Sequence, residues 1–297
     1  MIQGSIVAIV TPMDAAGDLD WDALDRLVEW HVTEGTNGIV PVGTTGESAT
    51  LSIDENVRVV ERVVRVVDGR VPVIAGTGAN NTREALEMTR AARSAGADAS
   101  LQVTPYYNRP TQEGLYRHFS TIADDVDLPV VLYNVPKRTG CDLQPETVGR
   151  LAPHQHIVAL KEACGEVGRI AKLKALCGED FALLSGEDPV NVASMREGAV
   201  GTVSVTANVA PRRMARMIAA GLAGDWATAE AEEAALQELH RVLFLESSPI
   251  PVKWALEQMG LIGPGIRLPL TPLAADFHAE VRGRLLDYGL LDAGERV

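Results

Sequence analysis

Eight short apolar runs, rich in β-branched residues, recur along the 297-residue chain. Each run is almost continuously apolar, which is typical of parallel strands buried on both faces. The runs begin near Ser5, Gly38, Pro72, Ala99, Pro129, Ile157, Phe181 and Val200. The segments between them show helical spacing of apolar residues, with predicted faces at Leu24, Leu27, Val28 and His31, at Val57, Val60, Val64 and Val67, and at Leu115, His118, Phe119 and Ile122. Strand and helix therefore alternate along the chain.

Eight alternating units fit two architectures, an open doubly wound sheet or a closed barrel. The open sheet usually places a phosphate-binding glycine turn after its first strand, and this strand ends in Thr11-Pro12-Met13 instead. Units of about 19–34 residues match the barrel. We predict an α/β fold, with a (β/α)8 or TIM barrel over residues 1–224 and a helical C-terminal region over residues 225–297. Helical spacing in that region is carried by Leu236, Leu239 and Leu243 and by residues 251–259 and 273–290.

Composition restricts the partners of this chain. Its net charge is −13 without a basic patch, so it repels phosphate backbones and nucleic acid is not an expected partner. No apolar run approaches the ~18 residues that indicate a membrane span, and the first residues lack the features of a signal peptide. Cys141, Cys164 and Cys177 form no CxxC pair, which favours reduced thiols. We expect a cytoplasmic protein that does not bind membranes.

Lys161 is the only one of the five lysines that falls in a predicted strand, directly after Ile157-Val158-Ala159-Leu160. Barrel enzymes gather their chemistry at the C-terminal ends of the strands. A lysine held among apolar residues is desolvated, which favours the neutral amine, and such an amine can attack a ketone to form a Schiff base. The pattern is equally consistent with a structural lysine that reaches solvent from the strand end or pairs with Glu162.

Polar residues also follow two other predicted strands. Tyr133 can carry protons, or it can pack in the core with its hydroxyl hydrogen-bonded. Arg138 can bind a carboxylate, or it can be a solvated loop charge. Thr44 and Thr45 lie between two glycines, in a turn whose N–H groups suit a carboxylate or phosphate. An ordinary tight turn has the same pattern.

Dinucleotide and metal chemistry have weaker support in the sequence. Gly76-Thr77-Gly78 begins like a dinucleotide-binding turn, but Asn81 stands where the third glycine is needed. The six histidines are scattered, and only His154 and His156 are close together, without an HExxH motif. We therefore expect no nucleotide cofactor and no metal.

Taken together, the strand ends are similar to those of one known family. Seven segments occur in the order and spacing of the dihydrodipicolinate synthase family, which belongs to the pyruvate-dependent class I aldolases. They are GTTGES, TPYYNRP, YNVPKRTG and ALKEACG at the strand ends, with GSIVAIVTPMD, SVTANVAPR and PIPVKWA elsewhere. The chain resembles this family over nearly its whole length.

The resemblance implies a Schiff-base-forming lyase without a cofactor. Lys161 would form an imine with pyruvate, and the derived enamine would attack L-aspartate 4-semialdehyde. The adduct would cyclise to 4-hydroxy-tetrahydrodipicolinate, a precursor of diaminopimelate and lysine. Tyr133 would carry protons through Thr44 to a tyrosine of the neighbouring subunit, at the position of Tyr107, in a homotetramer built as a dimer of dimers. The other implied contacts are Thr45, Gly186 and Val203 around pyruvate, and Arg138 at the semialdehyde carboxylate.

The resemblance also marks a pocket where lysine inhibits many family members. Ile53 and Asn56 replace positions that are often histidine in strongly inhibited members, so hydrogen-bonding imidazoles are lost. We therefore expect weak or absent inhibition by lysine. The positions that match the pocket are Ser48, Ala49, Asn80, Glu84 and Tyr106.

Two alternative functions remain open. N-acetylneuraminate lyases and 2-keto-3-deoxy-sugar acid aldolases share the lysine, the tyrosine and the glycine-threonine turn. They usually lack an arginine at the position of Arg138. The second alternative is a barrel that binds a keto acid without catalysis. Against it stands the joint presence of Thr44, Tyr107, Tyr133, Arg138 and Lys161.

Overall fold

The computed structural model describes residues 2–291, so Met1 and residues 292–297 of the predicted regions lie outside it. Its strands are β1 Gly4–Ala8, β2 Gly38–Val40, β3 Ile74–Gly76, β4 Ala99–Val103, β5 Val130–Asn134, β6 Ile157–Glu162, β7 Ala182–Ser185 and β8 Gly201–Ser204. They form one parallel sheet in the order β2-β1-β8-β7-β6-β5-β4-β3. A parallel bridge between Ile39 and Val73 joins its two outer strands. The sheet is thus closed, and the predicted (β/α)8 barrel is confirmed.

Helices alternate with the strands on the outside of the barrel. They are α1 Trp21–Thr33, α2 Ile53–Val67, α3 Thr82–Ser94, α4 Gln112–Asp125, α5 Pro136–Thr139, α6 Pro145–Leu151, α7 Gly168–Cys177, α8 Asn191–Arg196 and α9 Pro211–Leu222. Local capping starts several of them. Asp20 accepts the N–H of Ala23 at 2.9 Å before α1, and Ser52 and Glu55 form a capping box at α2.

The alternation of side chains along each strand separates two apolar cores. One core fills the barrel interior and includes Val131, Leu184 and Val203. The other lies between the sheet and the helices and includes Leu24 of α1 and Phe119 of α4. The predicted buried faces of α1 and α4 are confirmed.

The predicted face of α2 is partly wrong. The helix buries Val59 and Val63 beside Val60 and Val67, whereas Val57 and Val64 are only half-buried. Seven valines lie between positions 57 and 67, so the spacing is compatible with more than one face. Packing against the neighbouring helices α1 and α3 selects the face that is buried.

Three helices follow the barrel, namely α10 Trp226–Val242, α11 Ile250–Gln258 and α12 Ala275–Asp287. Leu236, Leu239 and Leu243 are buried in the same apolar core as the outer face of the sheet. The predicted helices are therefore confirmed, whereas the division of the chain at residue 224 stays a prediction. In the part of the chain described, no helix is long and apolar enough to span a membrane.

Candidate active site

Lys161 and Tyr133 lie side by side at the carboxyl ends of β6 and β5. The two residues are paired in the strand register, and the Lys161 Nζ lies 4.2 Å from the centroid of the Tyr133 ring. Lys161 is only 6% exposed. Because side chains alternate along β6, Lys161 shares the inner face with Ala159 and Ala163. The amine is therefore held in the mouth of the barrel against an aromatic ring.

Glu162 faces the other way and does not pair with Lys161. Its carboxylate accepts hydrogen bonds from Arg169 Nε at 3.0 Å and Asn134 Nδ2 at 2.9 Å. Burial raises the pKa of Glu162, and the Arg169 guanidinium opposes that rise. Arg169 also bonds Asp142 at 2.8 Å, so these groups tie the ends of β5 and β6 together. The structural alternative of a Lys161–Glu162 pair is thus not what the fold contains.

The turn after β2 is held in an unusual backbone conformation. Val42 and Glu47, at its two ends, have φ values of 47° and 58°, a region that residues with a Cβ seldom adopt. The Glu47 N–H donates to Thr44 O at 3.1 Å and closes the turn. A Cβ on Gly76 would lie 2.3 Å from Val42 O, so Gly76 allows close approach of this turn. That packing role accounts for the glycine pattern that begins like a dinucleotide motif.

Two adjoining cavities connect three of the predicted catalytic and substrate-binding residues, and Lys161 lines neither of them. The inner cavity, of about 40 Å³, is lined by Thr44 and Tyr133, and the outer one, of about 420 Å³, by Thr44 and Arg138. Ser48, Gly78 and Val103 also belong to both walls. Arg138 is exposed at the mouth, where its Nη2 donates to Ser248 O at 3.2 Å. The outer volume is in the range of small-molecule sites.

Gly186 and Val203 also lie at the barrel mouth. A Cβ on Gly186 would lie 3.0 Å from Lys161 Cε and 2.7 Å from Ala163 Cβ, so the glycine packs directly on the lysine stem. Val203 is buried in the inner core with Tyr133, and Thr45 is buried in the turn after β2. Gly186 therefore lies against Lys161 and Val203 shares the inner core with Tyr133, whereas a contact between Thr45 and pyruvate stays a prediction.

The loop that carries Tyr107 is different. Tyr107 is 93% exposed with a φ of 66°, so one chain does not bring it into its own site. Asn80 holds the loop by accepting the Tyr106 N–H at 2.8 Å and, through its backbone oxygen, the Asn108 side chain at 3.0 Å. The residues predicted for a lysine pocket are divided between two places. Of these residues, three line the outer cavity: Ser48, Ala49 and Tyr106. Glu84 lies in the first turn of α3.

Sequence reasoning missed a buried ion pair beside the turn after β2. Lys253 of α11 donates to the Glu47 carboxylate and, at 3.0 Å, to Thr11 O. The Arg267 N–H donates to the same carboxylate at 3.2 Å. Burial holds the pKa of Lys253 below its ordinary value, although Glu47 opposes the shift. The available signal was a lysine within the apolar stretch PIPVKWA, but its partner lies 206 residues away.

Other potential chemistry is sparse across residues 2–291. No three His, Cys, Asp or Glu side chains of this range are grouped as metal ligands would be. A depression of about 350 Å³ lies outside the barrel, where Arg58 of α2 stacks on Trp21 of α1, and none of the predicted site residues lines it. The chemistry is therefore concentrated at the barrel mouth.

A buried lysine beside a tyrosine at the strand ends of a barrel is the arrangement of an enzyme that forms an imine with a carbonyl substrate. The model of the dihydrodipicolinate synthetase family matches residues 1–286. The chain belongs to this family of lyases.

Similar proteins agree over the whole length. The chain is 57% identical over 291 residues to the 4-hydroxy-tetrahydrodipicolinate synthase of Stutzerimonas stutzeri (strain A1501), covering 98% of this chain and 100% of that protein. Identity to the enzyme of the same description from Methylococcus capsulatus is 58%, with the same coverage. A crystal structure of the chloride-inhibited dihydrodipicolinate synthase of Acinetobacter baumannii complexed with pyruvate superposes with a TM-score of 0.97 at 53% identity, covering 98% and 100% of the two chains.

Proposed function

We propose that this chain is a 4-hydroxy-tetrahydrodipicolinate synthase that condenses pyruvate with L-aspartate 4-semialdehyde. The observation that carries the proposal is Lys161, buried in the barrel mouth with its Nζ 4.2 Å from the centre of the Tyr133 ring. The relatives of the same description support the substrate pair, and the related structure complexed with pyruvate supports the first substrate.

In the first step the Lys161 amine attacks the keto carbon of pyruvate, and the carbinolamine loses water to give an imine. The methyl group then loses a proton, and the resulting enamine attacks the aldehyde carbon of the second substrate. The amino group of that substrate displaces Lys161 from the imine carbon, which closes the ring and frees the lysine. Lys161 supplies the covalent chemistry, so the proposed reaction needs no cofactor or metal.

We assign the proton transfers to Tyr133, with Thr44 as the hydroxyl that links it to Tyr107 of a neighbouring subunit. Thr44 and Tyr133 line one cavity, which supports the first contact. Thr45, Gly186 and Val203 are proposed to surround pyruvate. Arg138 is proposed to bind the semialdehyde carboxylate, because its guanidinium lies at the outer mouth and offers paired donors.

The experiment is a coupled assay. Pyruvate and aspartate semialdehyde are mixed with the protein, and the product is followed with the next reductase and NADPH, beside a Lys161→Ala control. Turnover that disappears in the control supports the synthase. If pyruvate is trapped on Lys161 by borohydride but no condensation occurs, the aldehyde is a different one. A sugar-acid aldolase is then the function, whereas no trapping would indicate a barrel without catalysis.

The proposed assembly is a homotetramer, a dimer of dimers in which Tyr107 completes the neighbour's site. A tyrosine that is 93% exposed in a left-handed backbone conformation is expected to gain contacts on association. Light scattering on the active protein tests this, and an active, stable monomer would contradict it.

We further propose weak or absent inhibition by lysine. Asn56 is buried and donates to Ser52 O at 3.0 Å within its own helix, and Ile53 presents an apolar, half-exposed side chain. Neither residue offers the effector an imidazole. A dissociation constant of about 1 mM is typical of a weak ligand. An inhibition constant for lysine below that value would contradict this proposal.

The proposed location is the cytoplasm. The three cysteines Cys141, Cys164 and Cys177 are free thiols. This fits a reducing compartment.

A further inference from the structure

A buried ion pair joins the turn after β2 to α11. Glu47 and Lys253 are only 3% and 4% exposed, and their charged groups are hydrogen-bonded to each other. Removing two charges from water costs free energy that their attraction often fails to exceed, and an apolar pair can be equally stable. Stability alone therefore does not explain why this site holds an ion pair rather than two apolar side chains. The contacts of the pair indicate that it positions the turn after β2.

The contacts of the pair form a closed ring around the end of the turn. Lys253 Nζ donates to Glu47 and, at 3.0 Å, to Thr11 O. Thr11 Oγ1 in turn donates to Gly46 O at 2.7 Å. The Arg267 N–H bonds the second carboxylate oxygen of Glu47 at 3.2 Å. The last two residues of the turn, Gly46 and Glu47, are thereby hydrogen-bonded to the loop after β1, to α11 and to the segment between α11 and α12.

The turn needs such support because its backbone is strained. Val42 and Glu47 both have positive φ values, 47° and 58°. Strained residues of this kind persist only where the surrounding structure over-determines them. Thr44 and Thr45 lie between them, so relaxation at Glu47 would move both hydroxyls.

The segment that carries Lys253 also contacts Arg138. Ser248 O, five residues earlier, accepts the Arg138 Nη2 at 3.2 Å. The segment from Ser248 to Lys253 therefore touches both elements to which carboxylate binding is assigned.

We propose that Glu47 and Lys253 are positioning residues: their ion pair holds Thr44 and Thr45 in the geometry that pyruvate binding and proton transfer require. The start of α11 then contributes to the active site by fixing the position of the turn after β2. This inference rests on the proposed function for its kinetic consequence, but the positioning itself is measurable without turnover.

The test uses the full chain with Lys253→Met, which removes the ammonium and keeps a long apolar stem. The first readout is the pyruvate concentration that half-saturates borohydride trapping on Lys161. The second is amide hydrogen exchange of residues 43–48. Leu239→Ala, a core truncation in α10, is the control for lost stability without contact to the turn. Arg62→Met, which removes a pair with Asp25 between α1 and α2, is the control for a lost ion pair.

We expect the half-saturating pyruvate concentration to rise about tenfold or more, because a displaced turn loses hydrogen bonds to the pyruvate carboxylate and the loss of one such bond is enough for a tenfold change in affinity. In the coupled assay kcat also falls, whereas both controls keep their kinetic constants. Residues 43–48 exchange faster in Lys253→Met alone. A folded Lys253→Met protein with unchanged trapping and unchanged exchange overturns the inference.

If Lys253→Met fails to fold, Glu47→Gln replaces it, because the amide keeps the shape and one acceptor while losing the charge. The same readouts and the same contrary result apply. If the parent protein traps no pyruvate, the proposed function fails, and the exchange of residues 43–48 alone decides the positioning role.

Discussion

Two lysines of this chain are buried to nearly the same extent in very different surroundings. Lys161 is 6% exposed and Lys253 is 4% exposed. Lys253 meets the Glu47 carboxylate and the Thr11 carbonyl oxygen, which satisfy a charged ammonium group. Lys161 lies over the ring of Tyr133 and against Gly186, and its neighbour Glu162 bonds Arg169 on the other face of the strand.

The contrast shows that burial alone does not make a lysine a nucleophile. An amine attacks a ketone through a free lone pair, and Lys253 Nζ is occupied by its hydrogen bonds to the Glu47 carboxylate and to Thr11 O. The side chain of Glu162 points to the opposite face of β6 from Lys161, so the two do not pair. Lys253, in contrast, pairs with Glu47, which lies 206 residues away in the sequence. Among residues 2–291, Lys161 therefore has no carboxylate partner at the barrel mouth, whereas Lys253 is tied to the turn after β2.

The largest expected effect is on Lys161. We expect Lys161→Met to lower kcat/KM by about a thousandfold or more, as loss of a covalent nucleophile does. The variant should fold normally and lose borohydride trapping of pyruvate. Lys172→Met removes an exposed lysine paired with Glu146 and serves as the matched control. If Lys161→Met still traps pyruvate on another lysine, Lys161 is not the imine-forming residue and its contrast with Lys253 does not hold.

The next effect is on stability. Lys253→Met leaves the Glu47 carboxylate buried without its main partner, which should lower the free energy of unfolding by about 3–5 kcal/mol. Denaturant unfolding at fixed protein concentration measures it. The double variant Glu47→Gln/Lys253→Met removes both charges and should recover a large part of the loss. If the double variant is as unstable as the single one, the unpaired charge is not the cause.

Two histidines extend the comparison to bases buried without an acidic partner. Burial lowers the pKa of His31 to about 3 and that of His118 to about 4, from an ordinary 6.5. Below pH 6.5 the unfolded chain binds protons that the folded chain does not. Stability should therefore be constant above pH 6.5–7 and fall as the pH is lowered, by about 2 kcal/mol per histidine at pH 5.

Denaturant midpoints between pH 7.5 and 5 check this dependence on pH. His31→Gln removes one titrating group, so its stability should fall less steeply with acid than that of the parent. An identical slope in the variant would show that His31 does not contribute.

The smallest expected effect is at Gly186. The added methyl of Gly186→Ala would meet Ala163 Cβ at 2.7 Å and Lys161 Cε at 3.0 Å, and it should displace the lysine. We expect kcat/KM to fall about tenfold and the free energy of unfolding to fall by about 1–3 kcal/mol, because the methyl overpacks against Ala163. Gly168→Ala is the control, because its Cβ would have nothing within 4 Å at the start of α7. Equal activity of the two variants would mean that the Lys161 stem tolerates movement.

Much of the fold, and the place of a lysine at the end of a buried strand, could be predicted from local patterns. Continuous apolar runs indicate parallel strands because both faces of such strands are buried, and all eight predicted strands occur. Lys161 was recognisable because a lysine is out of place in such a run. Period and residue type suffice for these inferences, since they depend on neighbours along the chain.

Other features depend on contacts that no local pattern contains. The buried face of α2 was mispredicted because its valines allow several faces, and packing on α1 and α3 chose among them. The partner of Lys253 could not be found from spacing, because Glu47 is 206 residues away. Likewise, the 93% exposure of Tyr107 is a property of the fold that no local pattern contains, although the family resemblance implied that this residue serves a neighbouring subunit.

The sequence by itself therefore determined the alternation of strands and helices, the closed barrel and the lysine at the end of β6. These follow from short-range periodicity and from the free energy of burying apolar strands. Only the tertiary structure decided which lysine is paired, which carboxylate is kept away from Lys161 and which residues share the cavity with Thr44. Those outcomes depend on distances between residues that are remote in sequence. Such residues meet only when the barrel closes and the C-terminal helices pack on it.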